Sequence, residues 1–555
     1  VGREPKGWTK LRDYQKDGAL ALSKGIAGLW WAPGTGKTST ALAALAITGS
    51  LHDNLPYLVV TRPIGRYPWV RDSLWVLGAD YVPAILWGGK ARSADGVHRD
   101  GSYSDVQLAL SECPGIVTNY DILGARVEEL LQVGFKALIL DEAHHIKGGH
   151  RKLEEKRDGT WARSRCHYAK ELALDVKSQG GIVLELTATA VRDRRRDLWS
   201  QLDTVLPGRV LPNKRVAWHW VKAANDARDK IGLPRLGFQA LYPMINGGYA
   251  APGPFGPSLI YGEVDRVEDG EALGVPVEKA TSFMRRFCAA QQGIYGLETH
   301  QESMTEELEA RCAKHFSILT RTDVADQLPS LQRDLRRIPA ENNVSYKDLG
   351  GSIEKAIARA AAVKAYAALE LASEYLDAGG KVVITTCRRR LAHRLFTLME
   401  KERSKLRRAI RESLKIECVT GEINDRKRVL LLDNLNNAPG PTIVIATDEC
   451  MGESIDMHYF DACVVAGLPY TPGRIDQLEG RFVRLGGTPC TIHYLIADDT
   501  IDERIRQMLL SKLTDVVQVG ANTSDSGGVL GALKGRDEKK IIADLRGWLN
   551  SKEKK

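Results

Sequence analysis

The chain has 555 residues, with 78 Lys+Arg against 70 Asp+Glu and a formal net charge of +8. Apolar residues at 43% and charged residues at 27% are ordinary for a globular chain and exclude disordered, collagen-like and coiled-coil classes. At about 100–200 residues per domain the length predicts three or four compact units. Nine cysteines with no C-x-x-C spacing argue against a disulfide framework and for a reducing compartment. The start, Val1-Gly2-Arg3-Glu4, offers no apolar signal core. The longest charge-free run, Leu236 to Gly262, carries Pro243, Pro252, Pro254 and Pro257 and reads as a loop insertion, not a membrane span.

In chain order, an apolar stretch at Gly28-Leu29-Trp30 leads into a glycine-containing turn and then an alanine-rich helix. Leu58–Val60, Gly115–Val117, Ala137–Leu140 and Ile182–Leu186 follow as apolar strand candidates separated by amphipathic segments. That grammar predicts a parallel sheet covered by helices on both faces. Residues 211–350 differ: a Gly/Pro-rich loop near Asn246–Pro257 is followed by helical apolar spacing over Glu302–Leu319, and the same spacing recurs over Ile353–Leu376. Strand candidates then return at Lys381–Thr385, Ile416–Val419, Thr442–Ile445 and Ala462–Val465. Thr523–Gly528 reads as a linker before a short Lys-rich helix ending at Lys555. The reading is α/β, with lobes over 1–210 and 351–515, a helical, loop-rich insertion over 211–350 and a basic tail over 516–555.

The chemistry sits at strand ends. Trp31-Ala32-Pro33-Gly34-Thr35-Gly36-Lys37-Thr38 between an apolar strand and a helix has the layout of a phosphate-binding loop, in which backbone N–H groups and the helix start hold phosphate oxygens. Lys37 then reaches the β- and γ-phosphates and the Thr38 hydroxyl ligates Mg2+. Trp31 replaces the usual first glycine of that loop. Leu138-Ile139-Leu140-Asp141-Glu142 delivers two carboxylates at the C-terminal end of a strand, where α/β folds place ligands. Asp141 is read as the Mg2+ holder and Glu142 as the group that orients and polarises the attacking water. Gln477, Arg481 and Arg484 lie in one helical pattern, with the two arginines three residues apart on one face. Guanidinium charge at a γ-phosphate stabilises phosphoryl transfer. An isolated R-x-x-R is more often an exposed, salt-bridged helix.

The full set resembles a superfamily 2 helicase motor, and more closely the Swi/Snf-type DNA translocases, from about Leu11 to Lys512. Leu11-Arg12-Asp13-Tyr14-Gln15 is similar to that family's adenine-recognising element, which makes Gln15 the adenine contact. Thr61-Arg62-Pro63 with Trp69, Val117–Asp121, His145–Gly148 and Leu186–Ala190 resemble further motifs of the first lobe. Val419-Thr420-Gly421, Ala446-Thr447-Asp448 with Gly452–Asp456, and Thr500–Glu503 resemble those of the second. The resemblance implies two RecA-like lobes. It places Thr61, Arg62, Thr118, Thr386, Thr420 and Thr447 on DNA phosphates, and Asp456 with Gln15, Pro33, Gly34, Thr35, Gly36, Lys37 and Thr38 around ATP. Phe283–Cys288, Gly296, Glu306–Leu308 and Gln327–Pro329 resemble the annealing-helicase, or HepA-related, branch. Ile318-Leu319, Arg484-Leu485-Gly486-Gly487, Met451, Ser454 and Asp456 depart from its usual residues.

Two basic stretches, Lys147–Lys170 and Arg388–Lys415, are candidate phosphate neutralisers or solvated faces. His144, His145, His150, Cys166 and His167 match no zinc spacing. The expectation is an ATP- and Mg2+-dependent translocase on double-stranded or forked DNA in replication, repair, fork remodelling or annealing. A strand-separating DNA or RNA helicase and a non-travelling ATPase clamp are the alternatives. A monomer without membrane contact is expected, cytoplasmic in a prokaryote or phage host and nuclear in a eukaryote.

Overall fold

The computed structural model describes residues 4–49, 51–87, 90–92, 102–103, 106–147, 163–188, 190, 195–206, 283–284, 287–293, 296–298, 308–309, 312–339, 352–451, 456–469, 472–507 and 545–551. The insertion loop within 211–282, Thr189, Gly452–Ile455, His150, most of the first basic stretch and the 523–528 linker lie outside the described residues. Two compact units emerge. The first draws on Val1–Trp31 and Lys37–Ile318, the second on Leu319–Ser526, with the short loop Ala32–Gly36 grouped with the second.

The first unit is built on strands β1 (Gly28–Trp31), β2 (Tyr57–Thr61), β3 (Ala84–Trp87), β4 (Lys90–Arg92), β5 (Ser102–Tyr103), β6 (Gly115–Asn119), β7 (Ala137–Asp141) and β8 (Ile182–Thr187). A separate hairpin is formed by β9 (Gln291–Gly293) and β10 (Gly296–Glu298), and β11 (Phe316–Leu319) returns to the main sheet. The sheet order is β11-β1-β8-β7-β2-β6-β3-β4-β5. Its centre is parallel, and β4 and β5 extend one end as an antiparallel ribbon. Strands β1, β2, β6 and most of β7 and β8 are buried, as expected where helices cover both faces. The helices are α1 (Asp13–Ser23), α2 (Lys37–Ile47), α3 (Arg66–Val76), α4 (Val106–Leu110), α5 (Leu123–Leu131), α6 (Arg165–Ser178) and α7 (Arg195–Val205). Every residue of α2 from Ser39 to Ile47 is buried, so its run of small alanines lets it lie close on the sheet.

The second unit carries β12 (Leu331–Ile338), β13 (Lys381–Thr386), β14 (Lys415–Val419), β15 (Thr442–Thr447), β16 (Ala462–Val465) and β17 (Cys490–Ala497). All pair in parallel, in the order β12-β17-β16-β13-β15-β14. Around them lie α8 (Ile353–Val363), α9 (Ala365–Asp377), α10 (Arg389–Glu402), α11 (Arg408–Ser413), α12 (Asp425–Asn437) and α13 (Pro472–Phe482). Two parallel sheets flanked by helices match the two-lobed reading.

Three local expectations change. The helical spacing over Glu302–Leu319 ends in strand β11, because Phe316 stacks on Trp30 (4.1 Å between centroids, 14° between planes) and Ile318 packs against the first core. Sheet pairing overrides a short apolar run that fits either period. The 353–376 helix is two helices broken at Lys364, whose backbone sits at φ −83°, ψ −1°. Lys364 is fully buried there, donating from Nζ to Asp502 Oδ2 (2.6 Å) and to the Leu495 carbonyl (2.8 Å). The third concerns Arg484, which lies beyond the end of α13 at Phe482, so it does not share a helical face with Arg481.

Candidate nucleotide site and strand-end residues

In the first unit, β1 ends at Trp31 and α2 begins at Lys37, leaving five residues to make the turn. Gly34 (φ 85°) and Gly36 (φ 81°) both occupy the left-handed region, which side chains with a Cβ rarely adopt. Within the loop the buried Thr35 hydroxyl donates to the Ala32 carbonyl (2.8 Å). Lys37 Nζ folds back to donate to the Trp31 carbonyl (2.9 Å), and Thr38 stands half-buried on the first turn of α2. Backbone N–H groups at a helix start with a cation beside them form an anion-binding arrangement.

The carboxylate pair is shaped in detail. Asp141 closes β7, and its Oδ2 accepts hydrogen bonds from the Thr61 hydroxyl (2.8 Å) and Trp69 Nε1 (2.8 Å). Burial and then the neighbouring Glu142 push its pKa up to about 6, against the opposing pull of Trp69, Thr61 and Lys37. Tyr120 donates its phenol to the Asp141 carbonyl (2.9 Å), and burial raises that phenol well above its ordinary range. Glu142 is one of three non-glycine residues among those described with positive φ, at φ 51°, ψ 49°. A left-handed glutamate stores strain, and such outliers gather at functional sites. The Glu142 N–H donates to Asp141 Oδ1 (3.1 Å), and Glu142 Oε2 lies 3.2 Å from Nδ1 of the buried His144. His144 Nδ1 also lies 3.3 Å from the Thr187 hydroxyl at the end of β8. Glu142 is thus tied through His144 to the end of the adjacent strand.

Gln15 is placed differently from the expectation. Its Oε1 accepts the Arg12 N–H (3.0 Å) and its Nε2 donates to Ser39 Oγ on α2 (3.2 Å), with the residue 3% exposed. As placed, the amide joins α1 to the loop helix, and an adenine edge has to exchange with these partners. The five threonines expected on DNA are all buried. The Thr61 hydroxyl is spent on Asp141, and the Thr420 hydroxyl on Glu422 at 3.5 Å. Thr118 and Thr386 have buried Oγ1 atoms without a hydrogen-bond partner among the described residues, and Thr447 is 8% exposed beside Thr386 in the β13–β15 register. At the ends of fully buried parallel strands a side chain points into a packed face, which is why these hydroxyls are covered. Arg62, one residue past β2, is half-buried.

In the second unit, Gln477 and Arg481 lie on α13, with Arg481 4% exposed. Arg484 Nε lies 2.7 Å from Asp456 Oδ1, so two residues expected at the nucleotide pair with each other. A phosphate contact by Arg484 therefore exchanges one anion for another. The helix is anchored by Glu479, 2% exposed, which accepts two hydrogen bonds from Arg333 (Nε and Nη2, both 2.7 Å) and one from the Tyr494 phenol (3.0 Å). Arg321 Nη1 stands 3.4 Å away. Burial opposes ionisation of Glu479, and these partners overcome it, holding the carboxyl below its ordinary range. Sequence reasoning gave no role to Trp69, Tyr120, His144, Arg333 or Glu479. Only contact across the fold reveals them, although Trp69 and Tyr120 lie inside motifs of the first lobe.

The histidines and cysteine noted as a metal set are spread over other tasks. His144 faces Glu142 and Thr187, His167 caps α6 with Ser164, and buried Cys166 faces the Ser200 carbonyl. Among the described residues no group of three His, Cys, Asp or Glu is arranged to hold a metal ion. No described helix is long and apolar enough to cross a membrane.

Residues 9–192 match the family "Type III restriction enzyme, res subunit", and residues 367–486 match "Helicase conserved C-terminal domain". The human DNA annealing helicase and endonuclease ZRANB3 is 22% identical over 542 residues, covering 91% of this chain and 40% of the relative. The Drosophila melanogaster SWI/SNF-related matrix-associated actin-dependent regulator of chromatin subfamily A-like protein 1 is 21% identical, covering 93% and 57%. The chain thus spans well under two thirds of the length of these relatives. Among solved structures, the Sulfolobus solfataricus SWI2/SNF2 ATPase core in complex with dsDNA aligns over 92% of this chain and 93% of that one, at 15% identity and a TM-score of 0.36. The two helicase-family matches and these relatives together support a superfamily 2 helicase of the Swi/Snf type, near the annealing-helicase branch, a class of nucleic-acid-dependent ATPases.

Proposed function

We propose that the chain is an ATP-dependent translocase on double-stranded DNA, acting in replication, repair, fork remodelling or strand annealing. The observation that carries the motor chemistry is the Asp141–Glu142 pair, buttressed by Thr61, Trp69 and Tyr120 in the same unit as Lys37. Relationship to a protein named as a DNA annealing helicase supports duplex DNA as the track.

The loop 33–36 and the start of α2 bind the phosphates, with Lys37 leaving the Trp31 carbonyl for a phosphate oxygen. The donor set fits Mg2+: burial first, and then the adjacent Glu142 carboxylate, raise the pKa of Asp141, and a divalent cation offsets both by neutralising the buried negative charge. Thr38 and Asp141 would hold the ion, which supplies charge neutralisation at the β- and γ-phosphates. Glu142, held in its left-handed conformation and oriented by His144, positions the water. From the second unit the reading assigns Arg481, with Gln477 and Arg484, to recognition of phosphate charge.

A triplex-displacement assay tests travel. The wild type with ATP is expected to strip the third strand from a duplex, and Glu142→Gln is expected to leave it in place. Duplex-stimulated hydrolysis without displacement points to a stationary clamp and overturns the proposal. Efficient separation of a forked duplex replaces translocation with strand separation.

A further inference from the structure

Residues 388–415 hold 11 Lys+Arg against 3 Asp+Glu, while the rest of the chain holds 67 against 67. The whole net charge of the protein therefore equals that of one 28-residue stretch, made of α10, a short turn and α11. Its cations divide by what they touch. Arg388 lies 3.7 Å from Glu354, Arg389 and His393 face Glu422, and Arg403 lies 3.8 Å from Glu400. Lys405 pairs with Glu402, Arg407 with Asp377 and Arg408 with Glu412. Arg390, Arg394, Lys401, Arg411 and Lys415 are exposed and make no ion pair with any described residue, and the first three of these lie on α10.

These three are not scattered. At about 100° per residue, Arg390, Arg394, Thr397 and Lys401 fall within roughly 60° of one another along α10. The buried residues Leu391, Ala392, Leu395 and Met399 face the other way, against β14 and β15. The cations thus form one outward ridge about 16 Å long at about 1.5 Å rise per residue. Glu400, the nearest acid on the same helix, sits roughly 80° off the ridge, on the side of its partner Arg403.

We propose that this ridge is an accessory contact surface for the phosphate backbone of duplex DNA, separate from the strand-end threonines. The inference rests on the DNA-dependent function above and adds a second place where the motor holds its track. A ridge of that length runs past about five phosphates of one strand at about 3.4 Å per step. Chemistry favours nucleic acid over a protein or membrane partner. None of the exposed large apolar side chains among the described residues, Leu74, Leu108, Leu174, Tyr366, Leu430 and Tyr459, lies on α10. A protein interface needs such an anchor at its centre, and a membrane-bound helix needs an apolar face turned outward. Three long cations without acids between them carry only backbone-reading charge.

The test compares two full-length triple variants that lose the same charge. Arg390→Gln/Arg394→Gln/Lys401→Gln clears the ridge, and Arg407→Gln/Arg408→Gln/Arg411→Gln clears α11 instead. Binding to a fluorescent duplex is followed by anisotropy across about 50–200 mM salt. The ridge variant is expected to lower the slope of log affinity against log salt by about 2–3, since each lost phosphate contact removes about 0.9. The α11 variant is expected to change it by less than about 1, and basal hydrolysis without DNA stays at the wild-type level in both. An unchanged slope, or an equal change in both variants, overturns the ridge. Single variants Arg394→Gln and Lys401→Gln, each expected to lower the slope by about 0.9, serve if the triple variant folds poorly. Wild-type protein that binds no duplex even at the lowest salt sinks the DNA function itself, an outcome distinct from a binding protein with an insensitive ridge.

Discussion

Replacing Glu185 with glutamine removes an ionisable group from the middle of the first sheet while keeping its shape. Glu185 lies on β8 between β1 and β7 and is fully buried. Its Oε1 accepts the Trp30 indole N–H (2.9 Å), and its Oε2 has no partner among the described residues. Burial pushes its pKa from 4.5 up to about 7, with the Trp30 hydrogen bond only partly offsetting it. A raised carboxyl pKa means that the folded state holds the proton more tightly than the unfolded chain. The stability this group permits is complete below about 4.5 and is lost as pH rises through about 7. The shift corresponds to about 3 kcal/mol once the group must ionise to stay folded. Glutamine never ionises. Its buried amide without an acceptor costs about 1–3 kcal/mol, but equally at every pH. Urea unfolding of the wild type and Glu185→Gln at pH 5 and pH 8.5 should therefore show the variant gaining about 2.5 kcal/mol relative to the wild type between the two, part of the shift being already lost at pH 5. Titrations elsewhere cancel in that difference. Parallel stability curves across this range refute the assignment of a neutral, buried Glu185.

Other perturbations follow from single contacts. Lys364→Met leaves Asp502 buried without its cation and is expected to cost about 3–5 kcal/mol in urea unfolding, while Lys364→Met/Asp502→Leu recovers most of it; equal losses in the two contradict the pairing. Thr61→Val removes one of the two side-chain donors to Asp141 and is expected to raise the Mg2+ concentration needed for half-maximal ATP hydrolysis about 10-fold or more. An unaltered Mg2+ titration contradicts a positioning role for Thr61. Glu479→Gln withdraws the charge that Arg333 and Arg321 converge on, and should lower hydrolysis with ATP binding retained in a nucleotide-fluorescence assay. Wild-type turnover in that variant argues that α13 needs no such anchor.

Much of the architecture was legible because buried parallel strands leave short apolar runs in the sequence. All eight strand candidates of the two lobes are strands, from β2 at Tyr57–Thr61 to β16 at Ala462–Val465. Strands β3, β4, β5, β9, β10, β12 and β17 were missed. In β12 the Arg333, Asp334, Arg336 and Arg337 side chains mask the apolar pattern: Arg333, Asp334 and Arg337 are paired to partners far away in sequence, and Arg336 to Asp334 on the same strand. The nucleotide loop was readable from Gly34, Gly36 and Lys37, since backbone conformation dictates the glycines. Side-chain use was not readable. Thr61 looks like a surface phosphate contact until the fold places Asp141 within 2.8 Å of it, and Gln15 looks like a base reader until Arg12 and Ser39 occupy its amide. Hydroxyls and amides take whichever partner the packing brings, and packing is a long-range property.

The most direct test of the motor assignment is ATP hydrolysis by the wild type and Glu142→Gln without nucleic acid and with single-stranded DNA, duplex DNA, forked DNA and RNA. Strong stimulation by duplex or forked DNA, abolished by the substitution, is the predicted result. Stimulation confined to single strands or RNA, or hydrolysis that survives in Glu142→Gln, contradicts the account.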